Sequence, residues 1–100
     1  MTDLMAIKNS LAAIKPELQH RFFVNSIGLF GSVVRDDFKA SSDIDIIVDF
    51  TKPVGIEFVD LANFIESKLN KKIDLVSRNG VKKKYFEQIE SQIVYVWVMQ

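Results

Sequence analysis

The stretch Ile27-Gly28-Leu29-Phe30-Gly31-Ser32, followed ten residues later by Asp43-Ile44-Asp45-Ile46-Ile47-Val48-Asp49-Phe50, decides how this chain is read. Val24, Ile27, Leu29 and Phe30 supply the β-branched and aromatic bulk of a strand, expected over 22–30, with Asn25-Ser26 able to bend it near its start. Gly31-Ser32 ends that strand and opens a short helical turn through about Arg35, and a polar connection follows over 36–42. Asp43 to Phe50 then predicts a second strand with period-two alternation. Ile44, Ile46, Val48 and Phe50 share one face, and Asp43, Asp45, Ile47 and Asp49 share the other.

Upstream, Leu4, Ile7, Leu11, Ile14 and Leu18 recur at steps of three and four, the stripe of an amphipathic helix that Thr2 or Asp3 can cap. Pro16 removes a backbone donor, so a break is expected near Lys15 with a restart at Pro16. His20 and Arg21 close that segment, where positive charge suits a helix C-terminus and a lone histidine reads as solvated rather than as a ligand. Downstream, the chain predicts a loop at 51–55, a helix at 56–69, a short strand at 72–76, a turn at 77–80 and a helical piece at 81–90. The last piece, 93–99, is extended and apolar on both faces. Ile93, Tyr95, Trp97 and Met99 lie on one and Val94, Val96 and Val98 on the other, as in a buried strand or part of an interface.

The chain has 100 residues with no repeat or low-complexity segment, so one domain over 1–100 is expected. A 48% hydrophobic fraction argues against disorder. The formal net charge of zero makes a general polyanion binder unlike it, and direct nucleic-acid binding through Lys71, Lys72, Arg78 and Lys82 to Lys84 is disfavoured. Those lysines read as a solvated face, or as one that meets an acidic partner or steers an anionic substrate. Without cysteine there is no disulfide, thiolate metal site or cysteine nucleophile. The sequence shows no secretory signal, and its longest apolar run is too short to span a bilayer, so a cytoplasmic location is expected.

A strand ending in Gly-Ser before a helical turn makes a phosphate cradle, because the glycine admits a phosphate to the backbone and unpaired N–H groups point outward. Alone, such a dipeptide is an ordinary turn. Asp43 and Asp45 add to it, since residues two apart on a strand project from one face about ~7 Å apart. Like charges on a half-buried face repel, and a hard divalent cation such as Mg²⁺ relieves them; the bland reading is a solvated sheet face. Asp49 shares that face but lies about ~13 Å further along, too far for metals only about ~4 Å apart. Asp74 interrupts the apolar run Ile73-Asp74-Leu75-Val76, so a neighbouring strand can bring it beside the pair; otherwise it is an edge residue facing water.

With these residues assembled, the sequence resembles the minimal nucleotidyltransferases of the DNA polymerase β-like superfamily. The match is Gly31-Ser32, ten residues, then Asp43-Ile44-Asp45, with Lys72-Ile73-Asp74-Leu75-Val76 as the strand of a third acid. Lys15-Pro16-Glu17-Leu18 and Pro53-x-Gly55 are also similar to the family, so the resemblance covers nearly the whole chain. It implies an α+β fold, a small mixed or antiparallel sheet flanked by helices. It implies Mg²⁺ in a two-metal site held by Asp43, Asp45 and Asp74, with ATP as substrate and its phosphates on Gly31 and Ser32, while Arg35 either contacts phosphate or braces the loop. Asp74 would also accept the proton of an attacking hydroxyl. The family often continues Gly-Ser with Arg-x-Arg-Gly; here Arg35 matches, Val33 stands for an arginine and Asp36 for a glycine. An extra acid there implies weak or partner-dependent activity.

Larger relatives carry a second domain for the acceptor. Short chains of this kind resemble antitoxins paired with a HEPN-type ribonuclease toxin, onto whose tyrosine hydroxyl they move AMP, in a homo- or hetero-oligomer and without a membrane. The alternative is a non-catalytic antitoxin that silences its partner by complex formation, with the apolar 93–99 segment as a docking strand.

Overall fold

The computed structural model describes residues 3–35 and 42–98. Helix α1 (Asp3–Ala13) and helix α2 (Lys15–Phe22) are separated at Ile14, one residue before the expected break. Pro16 occupies the first turn of α2, where its missing N–H leaves no helical bond unmade. Thr2 lies outside the described residues, and Asp3 is the first residue of α1.

Strand β1 runs over Val24–Phe30 and not from Phe22. Phe22 completes α2, buried and with its ring 5.2 Å from that of Phe64. Phe23 takes the left-handed conformation (φ 60°) and its N–H closes on the Leu18 carbonyl, so the helix ends by a backbone cap that residue type alone does not announce. The expected bend is a bulge at Asn25, where the register with the next strand slips between Val24 and Ser26.

A 3-10 turn (Gly31–Val34) follows β1. Then come β2 (Ile44–Phe50), α3 (Glu57–Leu69), β3 (Ile73–Ser77), α4 (Lys83–Ile89), a second 3-10 turn (Glu90–Gln92) and β4 (Val94–Val98). The sheet order is β3-β2-β1-β4. β1 is antiparallel to both its neighbours, while β3 is parallel to β2, with α3 as the crossover. The sheet is therefore mixed, within the α+β class that the sequence implies.

One face of the sheet is closed. Ile27, Leu29, Ile44, Ile46 and Val48 pack with Ile7 and Leu11 of α1, Leu18 and Phe22 of α2, and Leu61 and Ile65 of α3. The opposite face is covered in part. Phe30 and Ile47 pack with Phe86 and Ile89 of α4, flanked by Val76, Val81 and Ile93.

β4 departs from the strict alternation expected of it. Its register with β1 slips between Ile27 and Gly28, which leaves Val96 unpaired and sets Trp97 and Tyr95 on opposite faces. Trp97 is buried in the closed core, while Tyr95 lies over Gly28 on the other face. Gly28 permits that, because a Cβ there would stand 2.6 Å from Ile93 Cγ2 and 3.2 Å from the Tyr95 ring. β4 is thus an outer strand with one buried side, and its Val98 is 57% exposed.

Candidate nucleotide and metal site

The alternation of β2 brings Asp45 to the partly covered face, where the neighbouring strands set its surroundings. Phe30 of β1 stands opposite Asp45, and Asp74 of β3 stands beside it on the other side, in register. Residues so paired across adjacent strands share a face about ~5 Å apart, which places the two carboxylates side by side. The Ile44 N–H donates to the Lys72 carbonyl (3.1 Å), tying the entries of β2 and β3 together just below the acids. Asp43 is exposed at the entry to β2.

The turn after β1 meets this row. Gly31 is buried with φ +74°, a conformation that L side chains rarely adopt. A Cβ on Gly31 would collide with the Asp45 carboxylate. Glycine is required here twice over, for the backbone and for the space Asp45 fills. Ser32 is half-buried in the turn, and its carbonyl accepts from the Arg35 N–H (3.1 Å).

The Asp45 carboxyl is pushed above the ordinary carboxylate range, first by burial, then by the charge of Asp74 and that of Asp43; Arg35 opposes the rise. Asp45 is therefore electrostatically unsatisfied where it stands. Among the described residues no group of three carboxylates or imidazoles is already gathered as a metal cluster. The donor chemistry nonetheless suits a hard cation, with carboxylate oxygens and no thiolate in the chain.

Other expected positions fall elsewhere. Val33, which stands where the resemblance implies an arginine, is buried in the closed core and faces away from the acids' chemistry. Asp36 lies outside the described residues. Asp49 stands opposite Ser26, four residues beyond Asp45 along β2, and does not join the acids. His20 is exposed in the last turn of α2. The sequence reading missed one feature entirely, a cavity of about 540 Å³ beyond the far end of β2, lined by Asp49, Phe50, Pro53, Phe58, Ser77 and Asn79 among others. Its walls come from three separated segments, and no spacing within any of them signals it.

The polymerase beta nucleotidyltransferase family model matches residues 12–97, which spans β1, β2 and β3 with their acids. This chain belongs to that family. It is 39% identical over 97 residues to protein adenylyltransferase MntA of Thermococcus cleftensis, covering 96% of this chain and 98% of that one. Among solved structures, a chain of a toxin–antitoxin crystallised with AMP-PNP is similar at TM-score 0.71 and 26% identity, over 98% of this chain and 75% of that one. The fold is also that of a chain in the complex of tri-AMPylated Shewanella oneidensis HEPN toxin with MNT antitoxin, at TM-score 0.71 and 23% identity, over 97% and 74% of the two chains.

Proposed function

We propose that this chain is a protein adenylyltransferase of the antitoxin kind, which moves AMP from ATP onto a hydroxyl, that of a tyrosine, on a HEPN-type ribonuclease toxin. The observation that carries the reading is the pairing of Asp45 with Asp74 beside Gly31, at the end of the strand that leads into the Gly31-Ser32 turn. The near full-length similarity to an adenylyltransferase supports the transferred group, and the bound AMP-PNP of a similar structure supports ATP.

In this reading Gly31 and Ser32 hold the triphosphate through backbone N–H groups and the serine hydroxyl, with Arg35 on a phosphate oxygen. Asp43, Asp45 and Asp74 hold Mg²⁺, which when bound supplies charge stabilisation for the α-phosphoryl group and the leaving pyrophosphate. Asp74, exposed on the outer strand, accepts the proton of the tyrosine hydroxyl. The hydroxyl oxygen bonds to the α-phosphorus, and the bond from that phosphorus to the β-phosphate bridging oxygen breaks. Pyrophosphate leaves with the electron pair. Among the described residues no helix is long and apolar enough to cross a membrane.

The test is transfer of label from [α-³²P]ATP to a HEPN-type partner protein, with and without Mg²⁺. Label on the toxin that Asp43→Asn and Asp45→Asn both abolish supports the enzyme. Silencing of the toxin by the double variant with no label transferred establishes inhibition by complex formation instead.

A further inference from the structure

On β2, the carboxylate left unused by the proposed transfer is Asp49. It lies on the partition between two concavities, the one of about 540 Å³ described above and one of about 330 Å³ lined by Asn25, Ser26, Arg78 and Tyr95 among others. Asp49 is half-buried, and among the described residues its only hydrogen bond is a long one from Asn25 Nδ2 (3.5 Å). The cations in the walls are engaged elsewhere. Lys52 Nζ sits 3.8 Å from the centroid of the Phe23 ring, and the Arg78 guanidinium 3.5 Å from that of Phe86. With a single long hydrogen bond among the described residues, this half-buried carboxylate keeps acceptor capacity for a ligand.

The larger concavity specifies the missing group. Phe50, Phe58 and Pro53 offer flat apolar walls, and Asp49, Ser77 and Asn79 offer acceptor oxygens. A planar, multiply donating cation meets both demands, since it stacks on rings while bonding several oxygens. A phosphate or nucleic acid is disfavoured, because α3 begins at this end with Glu57 and Asp60. On either side of Phe58 in the chain, Ile56 is 75% and Val59 54% exposed, apolar surface that suits a protein rather than a free metabolite.

We propose that this cavity receives an arginine side chain of the protein partner, paired with Asp49, so that the partner is held at the end of β2 opposite the acids that modify it. The proposal rests on transfer to a protein partner, and its test separates the two. Binding is measured without nucleotide, by calorimetry with the HEPN-type partner protein, and transfer is measured separately. Asp49→Asn is expected to raise the Kd, and the KM for the partner, by about 30-fold or more, as for loss of one member of a buried charge pair. Asp49→Glu should restore most of the affinity, and kcat at saturating partner should stay unchanged. Asn79→Lys, a change in an exposed turn that sets a like charge at the mouth, should weaken binding similarly and decides the matter if Asp49→Asn does not fold. Blocking the partner's arginines with phenylglyoxal should erase the difference between wild type and Asp49→Asn. A Kd within about two-fold of wild type for both variants, no binding by the wild type, or a fall in kcat in place of the KM effect overturns the proposal. If the Asp49 effect is present but no label is ever transferred, the pocket stands and the adenylyltransferase reading falls.

Discussion

Strand β2 presents two unlike sides to the same molecule. Ile44, Ile46 and Val48 are at most 1% exposed beneath three helices, whereas Asp45 and Asp49 flank Ile47 on a face that α4 covers only at its middle. The closed side is satisfied by any well-packed apolar set. The other side holds Asp45, whose burial and repulsion by Asp74 and Asp43 oppose folding, and it is there that a ligand has something to offer. Stability and chemistry are thus divided between alternate residues of one strand.

Substitutions on the two sides should separate these roles. The largest effect is expected from Asp43→Asn or Asp45→Asn, which should lower label transfer by about a hundred-fold or more while leaving the circular dichroism spectrum unchanged. Full transfer by either variant would remove the chemical half of the contrast. Ile46→Ala, one residue away on the closed side, should instead cost about 2–5 kcal/mol in urea unfolding, with transfer per folded molecule retained. Gly31→Ala falls between the roles. It should cost about 1–2 kcal/mol for the left-handed backbone and weaken ATP binding by displacing Asp45, both readable in one thermal-shift titration with ATP.

The smallest effect has the more telling sign. The folded-state pKa of Asp45 lies above the ordinary value, so the folded protein holds the proton more tightly than the unfolded chain, and stability is lost as pH rises through that range. At neutral pH the ionised Asp45 therefore opposes folding, and Asp45→Asn should raise the melting temperature of the metal-free protein. Mg²⁺ should raise that of the wild type and act less on the variant. A metal-free Asp45→Asn protein that melts below wild type would show that the carboxylate is satisfied within the fold.

Much of this was legible one residue at a time. The alternation of 44–50, the apolar stripe of 4–18 and the early position of Pro16 in α2 each follow from local periodicity and backbone chemistry, and the elements formed within a residue or two of where they are read. The errors lie where a contact from elsewhere in the chain decided. Phe22 stays helical because Phe64 of α3 receives its ring. Trp97 and Tyr95 part company because a bulge opposite Gly28 turns one inward. Val33 reads as a departure at the site and is a core residue.

The sequence by itself determined the spacing from Gly31-Ser32 to Asp43-Ile44-Asp45 and, through the alternation of β2, the face that Asp45 takes; Asp43, expected within that strand, stands just before it. Only the tertiary structure decided that Asp74 stands in register with Asp45 and that Gly31 leaves the room Asp45 occupies. It likewise set Asp49 between two concavities at the other end. Those relations depend on strand pairing across long stretches of chain, where the energy lies in the packing of the whole sheet and is carried by no local run of residues.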